Sequence, residues 1–188
     1  MGFTRAELEA FRDQSLPDLV GPETRLLFVG INPSLWTAAT QTHFARPGNR
    51  FWPALRRAGV IDRTFDLNTG MTDDDRAYLV RRGLGNTNLV NRATVRADEL
   101  TADELRAGRA RLEGLLGEFR PRVVAVAGIT AYRLAFGRRT ARVGEQPEDL
   151  LGARLWLVPN PSGLNAHETI DSLATAYAEP ARAAGILD

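Results

Sequence analysis

The sequence predicts a single α/β domain, a three-layer αβα sandwich built on a mostly parallel central sheet. Three observations carry this. Short apolar runs sized for buried strands, at residues 26–29, 122–128 and 154–158, alternate with longer segments of helical periodicity. Several of those longer segments open on side chains that cap helices. The 188 residues suit one domain with a sizeable core, and no repeat, low-complexity tract or linker divides them. Residues 1–188 are therefore one domain, with residues 1–23 as an N-terminal helical extension.

The elements follow in order. Thr4 and Glu7 form a capping box, with Leu8, Phe11 and Arg12 at helical spacing, so the first helix should run toward Pro17. Residues 26–29 form a strand that breaks at Gly30, because Pro33 cannot continue a central strand. Residues 34–49, rich in Thr, Gly, Pro and aromatic residues without a clear period, read as a long ordered loop. A helix over 50–58 places Phe51, Trp52 and Leu55 on one side and stops at Gly59. Thr72 caps a helix over 73–82 with three acids in its first turn, and Gly83 ends it. Residues 84–90 are extended and carry Asn86 and Asn88. Thr101 and Glu104 open a helix that runs to about Phe119. Residues 130–136 form a short helix, and 138–151 an exposed connection with room for a hairpin. A last helix spans about 168–184.

Composition closes off several chemistries. There is no cysteine, which excludes disulfides, iron–sulfur clusters and a thiol nucleophile. Two histidines, His43 and His167, are too few for a histidine-rich metal site, so no metal and no cofactor are expected. All 24 basic residues are arginine. Without lysine there is no Walker-type phosphate loop and no side-chain Schiff base. The arginines cluster, as Arg46/Arg50, Arg56/Arg57, Arg81/Arg82, Arg92/Arg96 and Arg138/Arg139/Arg142. Such clusters read either as phosphate contacts or as solvated surface offset by acids. No apolar run approaches the roughly 20 residues of a membrane span, and the N-terminus lacks the apolar stretch of a signal peptide, so the expectation is a cytoplasmic protein.

In a parallel sheet ligands bind beyond the carboxyl ends of the strands. That rule brings together residues 30–34, 86–91, 128–130 and 159–164. Two of these segments share the dipeptide Asn-Pro, at Asn32-Pro33 and Asn160-Pro161. Asn32 sits at the mouth of a strand, where it reads either as a turn residue capping the next segment or as a neutral amide able to hold a water or a base edge.

Three motifs then occur in order: Gly30-Ile31-Asn32-Pro33, Phe44-Ala45-Arg46-Pro47-Gly48-Asn49-Arg50-Phe51-Trp52, and Asn160-Pro161-Ser162-Gly163-Leu164. Together they resemble the mismatch-specific uracil/thymine-DNA glycosylases, as does the segment 85–92. The likeness runs from about Arg25 to Tyr177. It implies a uracil-DNA glycosylase-like fold and hydrolysis of the N-glycosidic bond of uracil, with thymine or damaged pyrimidines as further candidates, mispaired with guanine. By this resemblance Asn32 holds the attacking water. Gly30, Ile31, Pro33, Phe44, Asn88 and Asn91 surround the base, with Phe44 stacking on it and Asn88 reaching its O4/N3 edge. Asn160, Pro161, Ser162, Gly163, Leu164 and Asn165 meet the DNA, and Leu164 enters the space left by the flipped base. Arg46 and Arg50 are candidate phosphate contacts. The implied partner is double-stranded DNA with a G·U or G·T mispair, met by a monomer.

The sequence departs from the family pattern at three places. Ser34 stands where glycine is common, which should tighten the loop. Asn91 stands where an acid is common, which removes one possible carboxylate base. Ala166 stands where arginine is frequent, and His167 beside it reads either as a replacement DNA contact or as a helix-start residue. These departures motivate an alternative, a catalytically weak protein that binds mismatched or damaged DNA. A small-nucleoside N-glycosidase is a third reading, against which the wedge loop speaks.

Overall fold

In the computed structural model, which describes residues 2–188, the apolar run after Arg25 becomes strand β1, Leu26–Gly30, with all five residues buried. Strand β2, Leu84–Asn88, and strand β3, Val123–Ala127, pair with it in parallel on either side. Strand β5, Arg154–Val158, adds in parallel to β3. The two-residue strand β4, Gly144–Glu145, closes that edge antiparallel to β5, so the 138–151 connection holds no hairpin of its own and instead lends one short strand that pairs with the last strand of the sheet. The order is β2-β1-β3-β5-β4.

Strand side chains alternate between faces, and the two cores follow that alternation. Leu26, Phe28, Val123, Ala125 and Val158 point to one side. There they meet helices α3 (Phe51–Arg57), α4 (Asp73–Arg81) and α7 (Ile170–Ala183). Leu27, Val29, Val124, Val126 and Leu157 point to the other, against α5 (Ala102–Phe119) and α6 (Ile129–Phe136). This is the expected three-layer sandwich. The caps at Thr4, Thr72 and Thr101 form as their sequence spacing requires, each accepting from the backbone N–H three residues on. Thr169 caps α7 in the same way.

Two local expectations need correction. The first helix, α1, is only Arg5–Glu9 and does not extend toward Pro17. Asp13 adopts a left-handed φ of 61°, and its N–H donates to the Ala93 carbonyl, so a distant segment turns the chain out of the helix. Residues 34–49 are not all loop. Leu35–Thr40 form helix α2, capped by Ser34, whose hydroxyl accepts from the Thr37 N–H. Ser34 therefore starts a helix rather than tightening a loop. Leu35 and Ala38, three apart, pack on Ala93 together with Leu8 and Phe11 of the N-terminal segment.

Candidate active site

Register aligns the functional segments at one edge of the sheet. Gly30 at the end of β1 lies opposite Asn88 at the end of β2, and Ala127 of β3 lies opposite Val158 of β5. The ladder then continues past the strands. Leu89 donates to the Gly30 carbonyl, Val90 to that of Ile31 and Thr94 to that of Pro33, while Gly128 donates to Val158. The resulting cleft holds about 400 Å³ and takes lining residues from all of these segments except 128–130.

Asn32 lines this cleft with its amide orientation fixed. Its side-chain nitrogen donates to the Thr94 hydroxyl at 2.8 Å, to the Arg92 carbonyl at 2.9 Å and to the Pro33 carbonyl at 3.2 Å. All three sit on the protein side, so the oxygen Oδ1 is left without a protein donor among the described residues. An amide held this way presents an acceptor and nothing else. It can take a hydrogen from a water and leave that water's lone pair directed elsewhere.

Gly30, Asn88 and Phe44 make a close junction in the cleft. A Cβ on Gly30 would stand 2.5 Å from Asn88 Oδ1 and 3.3 Å from the Phe44 ring, so only glycine lets these two approach the strand end. Phe44 adopts φ 57°, an outlier for a bulky side chain. Its ring stacks on Phe51 with centroids 3.9 Å apart and planes at 22°. Phe44 thus packs on the core through Phe51 and also lines the cleft. The backbone N–H groups of Ile31 and Phe44, both cleft residues, find no acceptor among the described residues.

The loop after β5 forms the opposite wall. Asn160 Oδ1 accepts from the Ser162 N–H at 3.0 Å, and Asn165 reaches back to the Asn160 carbonyl at 3.1 Å. Leu164 at the tip is 73% exposed, the largest exposure among the big apolar side chains of the described residues. Gly163 is held close to another loop, since a Cβ there would meet the Gly48 carbonyl oxygen at 2.7 Å. Tyr177 anchors the loop base through its hydroxyl to the Pro159 carbonyl, and burial pushes that phenol well above its ordinary pKa.

The structure thus gathers most of the expected residues and leaves out a few. Gly30, Ile31, Asn32, Pro33, Phe44 and Asn88 share the cleft, as do Arg46, Asn160, Ser162, Leu164 and Asn165. Asn91 is outside it. Its side chain pairs with both backbone groups of Leu16, at 2.9 and 2.8 Å, as a second strand would. Arg50 points its NH1 and NH2 groups at the loop rather than outward, donating to the carbonyls of Ser162, Asn165 and Glu168. Pro161, Gly163 and His167 belong to the loop without lining the cleft, and His167 is exposed. Arg46 lines the cleft and meets no acceptor among the described residues. Arg92 and Arg96 are paired internally with Asp13, Glu104 and Asp98.

Sequence reasoning missed the segment 94–98, which supplies Thr94 beneath Asn32 and an exposed Arg96–Asp98 ion pair at the rim. Thr94 reaches the site through an isolated bridge to Ser34, a contact 60 residues apart with no local signal. His43 was also missed. It is buried beside Phe44, and its ring touches Asn88. Among the described residues no group of His, Cys, Asp and Glu is placed to hold a metal ion, and no helix is long and apolar enough to cross a membrane.

Comparison with known proteins bears on the family and the fold. The family model for the uracil DNA glycosylase superfamily matches residues 17–179. Among solved structures, the solution NMR structure of a candidate uracil DNA glycosylase from Methanosarcina acetivorans superposes with a TM-score of 0.57. The two share 18% identity over 89% of this chain and 96% of that one, a likeness that speaks for the fold.

Proposed function

This chain belongs to the uracil-DNA glycosylase superfamily, and we propose that within it the protein is a monofunctional DNA glycosylase that releases uracil mispaired with guanine. Thymine and damaged pyrimidines are further substrates to test. The observation that carries this reading is that Asn32, with its amide oxygen free, and the exposed Leu164 line one cleft.

The chemistry needs no strong base. Breaking the glycosidic bond leaves an oxocarbenium-like sugar and a pyrimidine anion, so the attacking water needs position more than deprotonation. Asn32 Oδ1 accepts from that water and directs its lone pair toward C1′. As the C1′–O bond forms, the water gives up one proton through solvent, which neutralises the departed pyrimidine anion and leaves an abasic sugar and free base. The unpaired N–H groups of Ile31 and Phe44 are fixed donors for the charge that builds on the departing base. The base stacks on Phe44, and Asn88 reads its edge. Absence of lysine leaves no side-chain amine for a lyase step.

The mispair preference follows from magnitudes. Taking a base out of the duplex costs a few kcal/mol, and less where pairing is already poor. Burying a leucine in the vacated stack returns about 1.5–3 kcal/mol. That offsets flipping at a mispair and falls short at a sound pair. The binding-only alternative loses one of its motives. Asn91 lies outside the cleft, so an amide in place of an acid there does not touch the reacting atoms.

The test is a duplex with one G·U pair, treated with enzyme in excess and then with alkali. Strand scission at the uracil position is expected. Tight binding of the duplex without scission would favour the binding-only alternative, and neither binding nor scission would defeat both readings.

A further inference from the structure

His43 stands behind the base-facing amide. Its Nε2 lies 3.1 Å from the Pro17 carbonyl oxygen, which can only accept, so Nε2 carries the proton. Burial of the ring holds the imidazole pKa down to about 4, against a smaller upward pull from the Pro17 carbonyl and Asp18. The ring is therefore neutral at working pH, with one donor and one acceptor. Nδ1 is the acceptor, and it lies 3.4 Å from the side-chain nitrogen of Asn88.

This settles which way Asn88 faces. A bare Nδ1 requires the NH2 side of the amide, so Oδ1 turns the other way, into the junction with Gly30 and Phe44. The backbone of Asn88 is fixed as well. Its carbonyl accepts from Arg111 NH1 at 2.8 Å, and Arg111 NH2 is paired with Asp18 at 2.6 Å.

We propose that His43 is a positioning residue that locks the Asn88 amide and thereby sets the pyrimidine edge the cleft accepts, uracil or thymine and not cytosine. The inference rests on the glycosylase reading above. With Oδ1 facing the cleft, Asn88 accepts from the N3–H of uracil, and its second N–H can donate to O4. Cytosine has donor and acceptor exchanged along that edge. Its N3 lone pair would oppose Oδ1, and its amino group would oppose the amide NH2. No sliding of the base repairs this, because O2 and N3 of cytosine are both acceptors. A site built to pair one edge rejects the other strongly, since the mismatch leaves desolvated polar groups unpaired.

The test uses two substitutions, His43→Leu, which keeps bulk without an acceptor, and His43→Asn, which returns an acceptor oxygen near the place of Nδ1. Single-turnover release of 5-fluorouracil and 5-fluorocytosine, each opposite guanine, is measured for all three proteins. The ratio of the two rates should fall at least tenfold in His43→Leu and recover toward wild type in His43→Asn. A role confined to stability would lower both rates together and leave the ratio unmoved, and that result would overturn the proposal. So would failure of His43→Asn to restore the ratio. An independent measurement on the free wild-type protein is the 15N spectrum of the labelled imidazole. A ring protonated at Nε2 and bare at Nδ1 is expected, and a proton on Nδ1 would overturn the proposal even if the enzyme is active. Should the wild type release no base from either duplex, the glycosylase reading fails, while the spectrum still decides the amide lock.

Discussion

The side-chain nitrogen of Asn32 lies 2.8 Å from the Thr94 hydroxyl, and that hydroxyl gives its own proton to the Arg96 carbonyl at 2.7 Å. Thr94 has a single proton, so toward Asn32 it can only accept, and the Asn32 oxygen must face the cleft. Asn32→Ala should lower single-turnover release of uracil by on the order of 10²-fold or more while duplex binding is largely kept. Thr94→Val keeps the shape and removes the acceptor. It should slow release roughly 3- to 10-fold, the worth of one hydrogen bond, with Thr94→Ser close to wild type. Unchanged turnover in Asn32→Ala would take that residue out of the mechanism.

Gly30 must be glycine because of what surrounds it, not because of its backbone. A methyl group there would stand 2.5 Å from Asn88 Oδ1 and 3.3 Å from the Phe44 ring. Gly30→Ala should therefore push apart the side chains of Asn88 and Phe44, the two proposed to meet the base, lowering activity more than tenfold at a stability loss of about 1–3 kcal/mol. Gly114→Ala is the matched control. That position on α5 has open space around it, so helix propensity should raise stability by up to about 1 kcal/mol with activity unchanged. A Gly30→Ala enzyme as active as the control would show that the junction is looser than these distances say.

Much of this arrangement is legible in the sequence, and the gaps have a common cause. Strands β1, β3 and β5 are apolar runs of the right length, and the caps at Thr4, Thr72 and Thr101 announce themselves by residue type and spacing. Because strand ends in a parallel sheet share an edge, the sequence alone puts Asn32, Asn88 and the loop after Val158 together. Helix α2 was hidden by its flanks, although Ser34 followed by Leu35 and Ala38 at helical spacing was a visible trace. Thr94 and His43 could not be found this way. Each acts through a partner 45 to 62 residues away, Thr94 on Asn32 and His43 on Asn88, and nothing in their own neighbourhoods marks them. Arg50 looked like a phosphate contact by type alone; only the converging carbonyls of the loop show what it holds.

The buried neutral His43 makes stability depend on pH. Its folded pKa of about 4 lies below the ordinary 6.5, chiefly through burial, so between these values the unfolded chain binds the proton more readily. The contribution of the neutral ring is full above pH 6.5 and is lost as pH falls from there to about 4. Urea unfolding should report roughly 2 kcal/mol less stability at pH 5 than at pH 7 from this group. His43→Asn should remove that part of the slope. An equal slope in the two proteins would place the acid sensitivity elsewhere.

Leu164 is exposed at the tip of a loop that is itself well tied down. A large apolar side chain held in water by a rigid loop is ready to be buried by something else, and the base stack is what lies opposite in the proposed complex. Leu164→Ala should slow release from a G·U duplex about tenfold, in keeping with the burial lost, and leave single-stranded substrate nearly unaffected. A constant ratio between the two substrates would argue against the wedge.

Arg46 and Arg50 are four residues apart and should behave oppositely. Arg46 lines the cleft and meets no acceptor among the described residues, so its guanidinium is free for a phosphate. Losing one phosphate contact should make the dependence of log K on log salt shallower by about 0.9 for duplex DNA, and Arg46→Ala should show this. Arg50 instead gathers the carbonyls of Ser162 and Asn165, at 2.7 and 2.6 Å, together with that of Glu168. Arg50→Met should leave the salt slope as it is, because no counterion-releasing contact is lost. It should instead loosen the loop and lower release from duplex relative to single-stranded substrate, as Leu164→Ala does. If the salt slope falls in Arg50→Met and holds in Arg46→Ala, the two roles are exchanged, and the loop must open on binding to let Arg50 reach the backbone.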